Sequence, residues 1–281
     1  MSAKFSHTDQ SGLNALTATP GGALTGTLLA PGDKSISHRA LILAAMANGT
    51  SHITGLLEGD DVMRTAAAMR AMGAEIERQD GVWRVTGAPW RSPAQALYFG
   101  NSGTGARLVM GAAAGARIAA RFDGDASLRA RPMGRIIEPL RTMGVAIAGP
   151  EDRLPVAIEG NDPVNAIACK LAKPSAQIKS AILLAALGAE GQTRIHEPIL
   201  CRDHTERMLD AFGVKLAMED DREAGRFISM DGGQSLKACD ILVPGDPSSA
   251  AFVIAGALIT PGSEVVVENV LINPTLSLIH I

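Results

Sequence analysis

Pro31-Gly32-Asp33-Lys34-Ser35-Ile36-Ser37-His38-Arg39, continuing into Ala40-Leu41-Ile42-Leu43-Ala44-Ala45-Met46-Ala47-Asn48, sets the pattern that the chain repeats. A turn at Pro31 and Gly32 leads to a cation, Lys34, and to Ser35, which reads as a helix N-cap. An apolar helix follows and stops at Gly49. The first-turn N–H groups of a helix have no partner within it, and the macrodipole favours negative charge there, so such a start is an anion site. Ser35 and Arg39 are four apart and share a face, which sets a hydroxyl and a guanidinium beside those amides. Phosphate or carboxylate is the implied guest. The plain alternative is a capped core helix with solvated charges. A nucleotide P-loop is excluded, since Asp33 separates Gly32 from Lys34 where that motif needs Gly-Lys-Ser/Thr contiguous.

Serine-led apolar helices recur at Ser102, Ser175 and Ser248, at intervals of 67, 73 and 73 residues from Ser35 onward. A second signature, a helix ended by glycine and followed by a strand, polar turn and strand, recurs at Gly73, Gly144 and Gly213. The unit is therefore helix, strand, helix, strand, strand, and self-similarity at this period marks a repeat architecture. Three units from about Thr25 to Lys237 would pack their Ala-rich helices inside and short sheets outside, with the helix starts converging at one end. This predicts an α/β fold with a first domain over 25–238, and a partial second domain over 1–24 plus 239–275. The fourth unit opens after Cys239 and breaks off after a strand at Ser263–Val270. A second domain matching the first would need roughly 170 more residues. The last six residues, 276–281, read as a non-native tail, because one coding of Leu276-Ser277-Leu278-Ile279-His280-Ile281 is CTGTCTCTTATACACATC, which resembles a transposon end used in sequencing libraries.

Of 281 residues 46% are hydrophobic but only 3% aromatic, so aliphatic side chains must fill the core. A net charge of -3 without a Lys/Arg block argues against nucleic acid and for a small ligand. Cys169, Cys201 and Cys239 fit neither a disulfide framework nor a zinc site, and His38, His52, His196 and His204 lack metal-ligand spacing. There is no signal-type apolar segment, and the longest apolar run, Ala250 to Ile259, is too short to span a bilayer. The expectation is a soluble cytoplasmic protein without a membrane partner.

Four stretches resemble the EPSP synthase (3-phosphoshikimate 1-carboxyvinyltransferase) family: residues 31–39, Gly100-Asn101-Ser102-Gly103-Thr104-Gly105-Ala106-Arg107, Arg129-Ala130-Arg131-Pro132-Met133-Gly134-Arg135, and Lys173-Pro174-Ser175-Ala176-Gln177-Ile178-Lys179-Ser180. Residues 202–209 and 246–252 add to the likeness, which is nearest to the bacterial branch carrying Ser-Ala-Gln. The resemblance implies an EPSP-synthase-like inside-out barrel, here with a truncated second domain. It also implies transfer of the enolpyruvyl group of phosphoenolpyruvate to shikimate 3-phosphate, with no cofactor or metal and a monomeric full-length form.

By resemblance, shikimate 3-phosphate is held by Lys34, Ser35, Arg39, Ser175, Ala176, Gln177 and Arg202, and phosphoenolpyruvate by Lys34, Gly103, Arg131 and Gln177. Ala176 can offer only its backbone amide. Arg107, Arg129 and Arg135 read as solvated or structural, Asp60 and Asp61 as helix caps, and Pro139 as a kink or restart. The family's catalytic aspartate has no match before residue 275, so no catalytic residue is assigned and the chain alone is expected to be inactive. One rival is UDP-N-acetylglucosamine enolpyruvyl transferase, which would carry Lys-Asn at positions 34 and 35 and a reactive loop cysteine. The other is a non-catalytic anion-binding fragment.

Overall fold

The computed structural model describes residues 21–150, 152–160 and 163–276. The repeat is visible directly. The first unit holds α1 (Lys34–Met46), a strand Thr50–Thr54, α2 (Asp60–Ala71) and strands Glu75–Gln79 and Val82–Thr86. The second opens with a strand Leu97–Tyr98, then α3 (Gly103–Gly115), Ala120–Asp123, α4 (Ala126–Arg129), α5 (Gly134–Thr142), and strands Ile147–Ala148 and Val156–Ile158. The third runs from Ala168–Lys170 through α6 (Ala176–Ala186), Gln192–Glu197 and α7 (His204–Ala211) to Leu216–Asp221 and Gly225–Asp231.

Each unit builds a four-stranded sheet on one plan. In the second and third units the strand before the inner helix pairs in parallel with the strand after it, and an antiparallel hairpin completes the sheet. In the first unit that leading position is taken from the far end of the repeat array, by Ile241–Leu242, in register with Ile53 and Thr54. The strand that does precede α1, Thr25–Leu29, pairs instead with Glu264–Glu268. Both pairings cross the expected domain edges at 25 and 238. Of the expected second domain, 1–20 lie outside the described residues, as do 277–281 of the expected tail.

The inner helices are buried all round. Ile36 to Ala45 of α1 and Lys179 to Ala186 of α6 are continuously buried, whereas α2, α5 and α7 bury one face against the core. Helices α3 and α6 approach backbone to backbone: a Cβ on Gly111 would stand 2.6 Å from Ala181 Cα, so only glycine fits. Gly73, Gly144 and Gly213 end the outer helices at φ of +117°, +86° and +83°, the left-handed stop that the second signature predicts.

Ser102 and Ser175 cap α3 and α6, accepting from Gly105 N at 3.3 Å and Ile178 N at 3.4 Å. The other two starts differ from the expected serine caps. Asp33 caps α1, accepting from Ile36 N at 2.7 Å, and Ser35 falls in the first turn. Asp246 caps the fourth helix, α8 (Pro247–Ile259), accepting from Ser248 N at 2.7 Å with Pro247 at the first helical position. An aspartate with extended backbone just ahead of the helix reaches the free amide first. Asp60 and Asp61 are likewise not caps: Gly59 holds that position, and the two carboxylates lie in the first turn of α2, where the macrodipole favours them. The restart expected at Pro139 occurs near Pro132, between α4 and α5, and α5 runs through Pro139. Among the described residues, no helix is long and apolar enough to cross a membrane.

Candidate functional site

The first turns of α1, α3 and α6 and the start of α7 meet at one cavity of about 360 Å³. Ser35, Arg39, Ser175, Ala176, Gln177 and Arg202, six of the residues singled out in the sequence, line it together with Thr104, Arg135, Pro174, Cys201 and His204. The other three stand beside it. Lys34 directs its ammonium to Asp61. Arg131 donates to Asn101 Oδ1, and its Nη1 lies 3.2 Å from where a Cβ on Gly103 would be, so a side chain at 103 would crowd that guanidinium.

Three arginines and no carboxylate line the cavity, which gives its wall a positive charge suited to an anion. Arg39 is 4% exposed and fixed from three sides: Nε donates to Thr205 Oγ1 at 2.7 Å, Nη1 to Ser35 O at 2.9 Å and Nη2 to Ser180 Oγ at 2.8 Å. Burial lowers its pKa to about 10, so it stays charged at neutral pH. Three of its five N–H groups are used, which leaves two to donate. Gln177 bridges two inner helices, accepting from Arg107 Nη1 at 2.9 Å and donating to Thr104 Oγ1 at 2.9 Å. Arg107 is buried, and its pKa falls to about 10 through burial and the neighbouring Arg135 and Arg131. Arg107 is thus not solvated, its Nη2 also donating to Pro132 O at 3.2 Å, and Arg129 pairs with Asp123 at 2.6 Å on the surface. Arg135 is a correction: it is a cation of the cavity wall.

A profile of the EPSP synthase family, described as 3-phosphoshikimate 1-carboxyvinyltransferase, matches residues 18–281. The chain belongs to the EPSP synthase family. It is 52% identical over 257 residues to a 3-phosphoshikimate 1-carboxyvinyltransferase of Chelativorans sp. (strain BNC1), covering 90% of this chain and 57% of the relative. It is 53% identical over 262 residues to that of Phenylobacterium zucineum, covering 92% and 58%. A solved EPSP synthase from Acinetobacter baumannii superposes with a TM-score of 0.81 at 46% identity, covering 91% of this chain and 58% of that one. The chain thus spans about three-fifths of the length of the curated relatives it matches.

Behind the cavity sit a buried charge cluster and a buried histidine to which the sequence analysis gave no role. Lys179 places Nζ 3.0 Å from both carboxylate oxygens of Glu197 and 2.7 Å from Glu206 Oε1, and all three side chains are fully buried. Glu197 also accepts from the backbone N–H of Cys201 at 2.8 Å and from its thiol at 2.5 Å, which ties down the loop carrying Arg202. Burial and the bond to Glu197 push the Cys201 thiol up to about 12, so it is not a reactive thiolate. Burial lowers the Lys179 pKa, but the carboxylates, Glu206 foremost, outweigh it and raise the value overall.

His38 is the other buried group, its Nδ1 2.8 Å from Thr65 Oγ1. Burial, reinforced by Lys34 and Arg39, lowers its pKa from 6.5 to about 3. The unfolded chain therefore binds the extra proton first. This share of stability is intact above pH 6.5 and is lost as pH falls from 6.5 toward 3, at about 1.4 kcal/mol per pH unit. Urea denaturation from pH 7 to pH 4 should show a shallower decline for His38→Gln than for the unaltered chain; equal slopes would contradict the assignment.

Proposed function

We propose that this chain supplies the shikimate 3-phosphate side of the active site of an enzyme that transfers the enolpyruvyl group of phosphoenolpyruvate. The observation that carries the reading is the cavity itself, where helix starts and three arginines converge with no carboxylate among the lining residues. Backbone amides of α1, α3 and α6, the Ser35 and Ser175 hydroxyls, Arg39 and Arg202 together suit a ligand bearing one phosphate and one carboxylate. Lys34, Gly103, Arg131 and Gln177 form the phosphoenolpyruvate side, with Gly103 leaving room against Arg131. In the reaction, the 5-hydroxyl of shikimate 3-phosphate adds to C2 of phosphoenolpyruvate as C3 gains a proton. Phosphate then leaves as C3 gives that proton up. Both steps need an acid or base. The cavity wall offers a histidine held to about 4 and a thiol at about 12, neither suited to that work at neutral pH.

Calorimetric titration of the chain with shikimate 3-phosphate should give saturable binding that weakens with added salt, while mixing both substrates with the chain alone should release no phosphate. Absence of binding would overturn the reading. Preference for UDP-N-acetylglucosamine would favour the rival transferase, and Ser35 argues against it.

A further inference from the structure

Asn273 lies after the strand Glu264–Glu268, outside the three repeats, yet it is 4% exposed and packs against the start of α7. Its amide oxygen accepts from Thr275 N at 2.8 Å and from Thr275 Oγ1 at 2.6 Å. Its Nδ2 donates to Asp203 Oδ1 at 2.8 Å. A backbone N–H can only donate and a carboxylate can only accept, so both ends fix the same amide orientation. Nδ2 also stands 3.3 Å from His204 Nδ1. An amide nitrogen cannot accept, so Nδ1 is the acceptor and the ring proton belongs on Nε2. Burial, with Arg39 and Arg202 nearby, lowers the His204 pKa to about 4, which keeps the ring neutral. Asp203, between Arg202 and His204 in sequence, also accepts from Arg207 Nε at 2.9 Å.

We propose that Asn273 is a positioning residue for the anion cavity: by tying Asp203 to His204 it fixes the Arg202–His204 wall and holds His204 as the Nε2–H tautomer. A segment beyond the third repeat thereby sets the geometry of a wall formed within that repeat. The proposal rests on the anion-binding reading of the cavity for its functional consequence, and on the hydrogen-bond pattern alone for the tautomer.

Long-range proton–nitrogen NMR on the chain labelled at histidine nitrogen separates the two. In the unaltered chain at pH 7, His204 should show an unprotonated Nδ1 and a protonated Nε2. Asn273→Ala should give mixed tautomers and weaken shikimate 3-phosphate binding about tenfold, because the ligand must then order the freed Arg202–His204 wall on binding. Asn273→Asp places an acceptor where the donor was, and Nδ1 should become protonated. A proton on Nδ1 in the unaltered chain would overturn the proposal, and so would an Asn273→Ala protein that keeps both tautomer and affinity. If the unaltered chain binds no shikimate 3-phosphate, the functional reading fails and the tautomers of the unaltered and Asn273→Asp chains still decide the positioning role. Should Asn273→Ala fail to fold, the same two measurements decide it.

Discussion

Replacing Lys179 with methionine should destabilise the chain by about 3–5 kcal/mol, because it removes the one cation from a buried three-charge cluster. Methionine matches the length and packing of the lysine stem but leaves Glu197 and Glu206 facing each other without it, both fully buried. Neither carboxylate can turn to water, so the variant must either bury an uncompensated charge or take up a proton. Proton uptake sets a pH signature. In the variant the folded-state carboxylate pKa values rise, so the folded form recovers stability as pH falls and loses it as pH rises through those values. Urea denaturation should therefore show the full loss at pH 7.5 and a smaller one at pH 5.5. Replacing the cluster as a set, Lys179→Met with Glu197→Gln and Glu206→Met, should recover much of the loss, since buried charge sets often exchange for apolar groups at little cost. A loss under about 1 kcal/mol for the single change would mean that Glu197 and Glu206 already share a proton and need no cation.

The repeat, its inner helices and their convergent starts were legible because they rest on local signals: an apolar run, a cap, a stopping glycine, and a fixed spacing. What escaped depended on pairing across long sequence distances. No residue near Ile241–Leu242 announces that it completes a sheet begun at Thr50, because a two-residue edge strand carries no periodicity of its own. Capping by Asp33 rather than Ser35 was open to the eye, since either side chain could reach a free amide and only the extended backbone at 33 decides it. Lys179 did carry a signal that went unread. It stands in a stretch, Ile178 to Ala186, where a helix is apolar almost all round, and a lone lysine in such a helix needs buried partners. Nothing local identifies those partners as Glu197 and Glu206. For the site, the family likeness named six residues that line the cavity, while Arg135, Thr104 and His204 emerged only when the helices were brought together.

Arg39→Met should weaken binding of shikimate 3-phosphate roughly 100-fold or more, as two charge-assisted hydrogen bonds of about 1.5–3 kcal/mol each are lost. The guanidinium is already oriented before any ligand arrives. Thr205 on α7, Ser180 on α6 and the Ser35 carbonyl on α1 take three of its donors, so little side-chain freedom remains to be lost on binding. Arg39→Lys keeps the charge but cannot reach three anchors and a ligand at once, so its affinity should fall between the two. Stability should respond less than affinity. Ser180 and Thr205 also bond each other at 2.6 Å, so losing the guanidinium leaves neither hydroxyl stranded, and methionine keeps the stem packed. Titration calorimetry at fixed ionic strength, with urea denaturation of the same samples, reads both quantities. A dissociation constant within threefold of the unaltered chain, with a lowered unfolding midpoint, would assign Arg39 to tying the three inner and outer helices together and shift the ligand's charge onto Arg135 and Arg202. A large loss of affinity at a nearly unchanged midpoint would assign the two free N–H groups to the ligand.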